Sequence, residues 1–354
     1  MTRELTVAVI GCGRMGADVD SHKHANLAPG WAPNNHADAA SSVPGLRLIA
    51  FCDTNRARAE AAASRHGGGV YTDYRAMLAD RVPDIVTVAT RAEGRAAIIA
   101  ELAAAGVRAI HAEKPLCRNL REGEAAAASL DQHGVAFSYG ATRRYMEAYR
   151  LAQELVRSGR FGSPRQIHLH FGAGALQWTH PHSVDLAMYF AGDAEPESAQ
   201  GAFLHPVAAR ENLLDADPLL AMGSLRFPGG FTALISAASG CDMTVACEGG
   251  TVSVLSDGET VECRAQSKKN AAYFNEVEKK AMQPSMSGLQ VAFTELHDAV
   301  MGGTPPASGI KQALAGQRAL FALALSGLRN GVETKLAEVS LDFTITGRQG
   351  ALYA

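Results

Sequence analysis

Three sets of residues in this chain have the types and spacing that chemistry requires. Gly11-Cys12-Gly13-Arg14-Met15-Gly16 fits G-x-G-x-x-G. In that pattern the glycines permit a tight turn, close approach of backbone to a dinucleotide pyrophosphate, and close helix–strand packing. The phosphate then lies at a helix N-terminus, whose N–H groups lack intrahelical partners. Glu113-Lys114-Pro115-Leu116 sets a lysine just after an apolar run. Out of water and near a cationic oxidised nicotinamide, such an amine has a depressed pKa and exchanges protons near neutrality. A cis proline after it would fix its direction. Finally, His180-Pro181-His182-Ser183-Val184-Asp185 brings two imidazoles and a carboxylate to a helix entrance. His182 and Asp185 are three apart and share one helix face. These ligand types also suit zinc or iron, but no fourth ligand or second motif accompanies them. No metal is expected.

A frame must hold these groups, and the first half of the chain supplies one. Leu5–Ile10 is a short apolar run suited to a strand buried on both faces, and it ends at the glycine motif. A second strand closes on Asp53, whose carboxylate suits an adenosine ribose and repels a 2′-phosphate. That favours NAD, while Arg56 and Arg58 leave NADP open. The spacing from Gly16 is 53 − 16 = 37 residues, against about 20 in the simplest pattern. The excess is assigned to an insertion at about 21–45, rich in Pro, Asn, Ala and His. It reads either as a surface loop with a short helix or as a flap over the active site. Helices over 55–65, Tyr74–Ala79, Glu93–Ala105 and Leu120–His133 alternate with strands at Asp84–Ala89, Val107–Ala112 and Val135–Tyr139. Gly106 supplies a helix stop. Such βα repetition predicts a Rossmann domain over 1–142, with ligands at the strand C-termini.

Composition bounds what this frame serves. Of 354 residues, 47% are apolar and 19% charged, enough for a sizeable core and too little charge for disorder. A formal net charge of -3, from 33 basic and 36 acidic residues, gives no reason to expect nucleic acid. No run approaches the ~18 apolar residues of a membrane span. The six cysteines contain no C-x-x-C pair and read as reduced thiols. A cytoplasmic protein with no membrane partner is the expectation. The 12 histidines include groups at 22, 24 and 36 and at 180 and 182.

The second half, 143–354, changes character. Glu147–Arg157 reads as a helix and Arg165–Phe171 as an alternating strand. Strands at Leu219–Phe227, Phe231–Ser236, Met243–Glu248, Thr251–Leu255 and Thr260–Arg264 are separated by Pro228-Gly229-Gly230, Gly249-Gly250 and Asp257-Gly258. Those are hairpin and turn signals. A polar stretch, Gln266–Gly288, precedes helices at Leu289–Val300 and Ile310–Asn330, the second expected to pack on the sheet. A broad sheet covered by helices on one face predicts a homodimer or homotetramer through the other.

Gly11–Gly16, Asp53, Val88-Ala89-Thr90, Glu113-Lys114-Pro115, Arg143-Arg144-Tyr145, Ser158-Gly159-Arg160-Phe161-Gly162 and His182-Ser183-Val184-Asp185 occur in this order across nearly the whole chain. Together they resemble the glucose–fructose oxidoreductase/inositol dehydrogenase/MocA family of NAD(P)-dependent dehydrogenases. The resemblance implies an α/β fold: an N-terminal Rossmann domain and a C-terminal α/β domain on a large, mostly antiparallel open sheet. It also implies hydride transfer between a secondary alcohol of a sugar, cyclitol or derivative and the nicotinamide. The family's catalytic lysine falls on Lys114, and the histidine and final aspartate of its Asp-x-Gly-x-His-x-x-Asp pattern fall on His182 and Asp185. Trp178 stands in place of the first aspartate and His180 in place of the glycine. Arg91 and Arg95 replace the proline and histidine of Thr-Pro-Asn-x-x-His. Lys114 and His182 are thus the expected catalytic pair. Asp185, His180, Trp178, Arg144 and Tyr145 are the expected substrate contacts, Trp178 either as a wall against a sugar ring or as packing. Gly11, Gly13, Arg14, Met15, Gly16, Asp53, Thr90, Arg91 and Glu113 are the expected cofactor contacts. An NAD-assisted glycoside hydrolase on the same fold and a non-catalytic NAD-binding sensor are the alternatives, the sensor favoured by Trp178.

Overall fold

The computed structural model describes residues 4–18, 27–267, 269, 270 and 273–347. His22 and His24 of the expected insertion lie outside them. The first domain runs β1 (Leu5–Ile10), α1 (His36–Ser41), β2 (Leu46–Cys52), α2 (Arg56–His66), β3 (Gly69–Tyr71), α3 (Tyr74–Asp80), β4 (Ile85–Val88), α4 (Arg95–Ala104), β5 (Ala109–Ala112), α5 (Leu120–His133) and β6 (Ala136–Tyr139). Its six strands pair in parallel in the order β3-β2-β1-β4-β5-β6. β1 and β4 are buried throughout, as strands covered on both faces must be. The order reverses between β1 and β4, so a crevice opens at their C-terminal ends, where the glycine motif and Thr90 lie.

The helix expected directly after the glycine motif is split. Residues 14–17 turn, the chain leaves, and α1 later resumes the same helical course. The His36 N–H donates to Met15 O at 2.8 Å and the Ala37 N–H to Gly16 O at 2.9 Å. Asn35 caps this resumed turn by accepting from the Asp38 N–H. The excess length between Gly16 and Asp53 therefore sits inside the first helix, and residues 36–45 belong to the Rossmann frame.

The second domain contains α6 (Glu147–Arg157), β7 (Pro164–His170), α7 (His180–Phe190), β8 (Ser198–Phe203), β9 (Leu213–Leu214), β10 (Leu220–Arg226), β11 (Thr232–Ser236), β12 (Asp242–Cys247), β13 (Gly250–Leu255), β14 (Thr260–Gln266), β15 (Phe274–Ala281), α8 (Gly288–Val300), α9 (Ile310–Leu328), β16 (Thr334–Lys335) and β17 (Thr344–Ile345). Nine strands form one sheet in the order β15-β14-β13-β12-β7-β11-β10-β8-β16. Every pairing in it is antiparallel except β7–β11. β15 falls within the stretch expected to be merely polar. Its sequence, Phe274-Asn275-Glu276-Val277-Glu278-Lys279-Lys280-Ala281, lacks apolar alternation, and it is one of the sheet's two edge strands, where charge discourages further pairing.

Three elements tie the halves together, among them α9, whose Ile310 and Ala313 pack in the core of Ile99, Ile110 and Leu116. From α8, Leu289, Phe293 and Leu296 pack into the same core as Leu5, Val7 and Phe51 of the Rossmann sheet. β17 pairs in parallel with β9, while the Ile345 N–H donates to Arg118 O and the Arg121 N–H to Leu341 O. α9 packs along β8 and covers one face of the large sheet. Phe293→Ala should cost about 3–5 kcal/mol in urea-induced unfolding, with the signal of the Rossmann core lost in the same transition.

Candidate active site

The glycine loop is shaped by close approaches that leave no room for side chains. Gly11 has φ +87°, and a Cβ there would lie 2.8 Å from the Ala89 carbonyl carbon. A Cβ on Gly16 would fall 1.7 Å from Gly11 O. Asp53 braces the loop from β2: its carboxylate accepts the Cys12 N–H at 2.8 Å and the Asn55 N–H at 2.8 Å. A cleft of about 580 Å³ runs from Asp53, Thr54 and Arg58 past Gly11, Gly13, Arg14 and Met15 to Thr90, Arg91, Glu113, Lys114 and Trp178. A glycine cradle with a carboxylate at one end and a lysine at the other fits an extended dinucleotide.

Lys114 follows β5, and its backbone is clamped on both sides. Arg95, fully buried on α4, donates to Glu113 O at 2.6 Å and to Pro115 O. The Lys114–Pro115 bond is cis. The Glu113 carboxylate accepts the Lys114 N–H and the His36 Nε2–H, each at 3.2 Å. Burial alone would raise this carboxyl, but His36, Lys114 and Arg95 together bring it down to about 2. His36 is held in turn by the Thr87 hydroxyl and packs edge-on to His111, with ring centroids 4.8 Å apart. The Lys114 ammonium donates to Trp178 O at 2.9 Å and lies 3.8 Å from the centre of the Trp178 ring. Burial lowers its pKa to about 8; Arg14 and Arg95 push the same way, against Glu113 and Asp217. An amine of that pKa takes and returns protons near neutrality.

His182, in the first turn of α7, stands near Lys114 but is not among the residues that line the cleft. Burial pushes its imidazole well below the usual value, and Arg143, Lys114 and His180 add to the effect. Its Nδ1 is buried and has no hydrogen-bond partner among the described residues. The Trp31 and His182 rings meet edge to face with centroids 6.5 Å apart, and Trp31 is in the inserted segment. Trp31 donates from Nε1 to Asp257 at 3.0 Å, and the Arg143 guanidinium lies over it at 4.9 Å while also pairing with Asp257. The described part of the insertion thus docks on the second domain beside His182.

Four expected substrate contacts are not on the cleft. Arg144 is fully buried and spends its donors on both Asp185 oxygens, Asp193 at 3.0 Å and Ala307 O at 2.9 Å. Asp185 is consumed by that pair. His180 is fully buried, its Nδ1 3.1 Å from the Ser183 hydroxyl, and Tyr145 is buried beneath Arg150. These residues secure α7 inside the second domain, because two buried charges are tolerated only when each satisfies the other. Trp178, by contrast, is a wall of the cleft. Gly16 shapes the loop without facing the cleft. Among the described residues no group of three or more His, Cys, Asp or Glu is arranged to hold a metal ion. No helix among them is long and apolar enough to cross a membrane.

Sequence reasoning did not reach His36, Gln177, Gln317 or Asp217. Gln317 accepts the Leu116 N–H through Oε1 and donates to the Gln177 Oε1 at 2.9 Å, joining the Lys114 loop to the segment before Trp178. An isolated glutamine in a helix carries no pattern that would reveal this.

Residues 5–141 match the model of an oxidoreductase family with an NAD-binding Rossmann fold, named for glucose–fructose oxidoreductase, inositol dehydrogenase and MocA. The chain is 30% identical over 147 residues to a D-apiose dehydrogenase of Paraburkholderia graminis, covering 41% of this chain and 39% of that protein. It is 28% identical over 208 residues to an inositol 2-dehydrogenase 2 of Saccharopolyspora erythraea, covering 53% and 54%. The matched stretches thus span between two fifths and about half of these relatives. The aldose-aldose oxidoreductase of Caulobacter crescentus, solved with glycerol, shares the fold with a TM-score of 0.75 at 18% identity, over 94% of this chain and 100% of that one.

Asp185→Ala should cost about 3–5 kcal/mol of stability in denaturant unfolding, the cost of stranding a buried arginine. A substrate contact would instead leave stability near wild type and raise KM.

Proposed function

We propose, on the match of residues 5–141 to the glucose–fructose oxidoreductase/inositol dehydrogenase/MocA family of oxidoreductases, that this chain is an NAD-dependent dehydrogenase of sugars or cyclitols. It oxidises a secondary alcohol of a polyhydroxylated ring, or reduces the corresponding ketone. The observation that carries this reading is Lys114, a half-buried amine whose pKa is lowered to about 8, at the lysine end of a dinucleotide cleft. NAD supplies the hydride acceptor when bound, with the glycine loop at its pyrophosphate and Asp53 at its adenosine ribose.

In the oxidation, neutral Lys114 takes the hydroxyl proton, and the resulting ammonium steadies negative charge on the reacting oxygen. His182 stays neutral through the working range and offers a hydrogen bond to the substrate hydroxyl. Trp178 gives the sugar ring a flat apolar face. The relatives named for D-apiose and inositol support this substrate class. Assembly as a homodimer or homotetramer uses the large sheet's uncovered face, where Met222 and Leu234 are exposed.

Lys114→Met should lower kcat by about a thousandfold while NAD affinity, read by protein fluorescence, stays close to wild type. With an oxidisable sugar or cyclitol, NADH should accumulate in the near-ultraviolet absorbance. Turnover without NADH release would instead indicate the glycoside-cleaving alternative. For alcohol oxidation, kcat/KM should rise with pH and level off above about 8, where Lys114 is neutral. It should show no limb at the usual histidine pKa, because His182 is depressed well below it.

A further inference from the structure

The segment leading into Trp178 is one half of a short antiparallel pairing. Ala175 bridges Leu219, the Leu176 N–H donates to Pro218 O at 2.9 Å, and the Leu220 N–H donates to Gly174 O at 2.9 Å. Continued by two residues, this register sets Asp217 opposite Gln177. The Asp217 carboxylate accepts the Gln177 N–H at 2.7 Å, which fixes its place along the chain. Trp178, whose carbonyl and ring both receive the Lys114 ammonium, is the next residue. Asp217, Trp178 and Lys114 line the same cleft. The side chain at 178 is an indole, so the acidic group on this wall comes from the facing segment.

We propose that Asp217 is a positioning residue for Lys114: its carboxylate, held across from Gln177 on the wall that carries Trp178, supports the protonated amine from the second domain's side of the cleft. This rests on the dehydrogenase reading for its catalytic meaning, but the pairing does not depend on it. Three other charged groups face the amine, as does the His182 imidazole. Glu113 is bonded to His36 and to the Lys114 N–H on the protein side, Arg95 is bound to the flanking carbonyls, and Arg14 lies over Trp178. Asp217 is the counter-charge contributed from the cleft side, and it favours the protonated amine while burial, Arg14 and Arg95 oppose it.

β9 and β17 hold the loop that delivers this carboxylate. Thr346 donates to Asp215 at 2.8 Å, and the Thr346 N–H donates to Leu214 O. Thr346 also lines the cleft, so one strap places both its own backbone and Asp217 against the Rossmann edge.

The test is the titration of Lys114 itself, in the full-length protein without NAD. Trace acetic anhydride labels the neutral amine, and mass spectrometry of the Lys114 peptide across pH gives its pKa. In Asp217→Asn the midpoint should move to lower pH, and Asp217→Glu should restore it toward wild type. The pH limb of kcat/KM should move in parallel, with kcat/KM at neutrality raised about threefold for a half-unit shift and NAD affinity little affected. An unmoved midpoint in Asp217→Asn, with NAD affinity retained, overturns the assignment. A moved midpoint in a protein that oxidises no sugar or cyclitol supports the Asp217 assignment and refutes the dehydrogenase reading.

Discussion

Everything near the cleft depends on keeping one amine out of water without letting it become inert. Removing a cation from solvent is costly, and the chain offsets that cost with partners drawn from several elements. Glu113 stands behind Lys114, its charge stabilised by His36. Arg95 clamps the backbone on either side, and the Trp178 carbonyl and ring receive the ammonium. Take away the Rossmann strand and the lysine loses its mount; take away the second domain and it loses its acceptor. The depressed pKa is therefore a property of the assembled pair of domains.

Local sequence carried the parts of this arrangement that obey local rules. The glycine loop, the strand ending at Asp53 and the lysine at the end of β5 all follow from backbone geometry and apolar periodicity, and the structure has them where expected. Residue type failed wherever long-range pairing decided the role. His180, Asp185, Arg144 and Tyr145 have substrate-binding chemistry, yet their polar groups are turned to one another or to the interior. A helix face shared by His182 and Asp185 was legible; that Arg144 would consume the aspartate was not. Asp217 shows the converse, because only a pairing between segments some forty residues apart brings it beside Trp178.

The insertion follows a similar logic. Its length was evident from the spacing between Gly16 and Asp53, but spacing cannot tell an insertion after a helix from one within it. Backbone bonds from His36 and Ala37 to Met15 and Gly16 keep the helical course continuous across the gap. Lengthening the excursion therefore leaves the phosphate-binding turn in register, while it gives the first domain an indole that reaches Arg143 and Asp257.

The placement of α8 bears on how the chain acquires its shape during synthesis. Phe293 and its neighbours complete the hydrophobic seal over β1, yet they are made long after that strand has left the ribosome. Until then the nascent dinucleotide domain carries an open apolar groove, and closing it requires a contact of very large sequence separation. The first domain is thus early in the gene and late to mature.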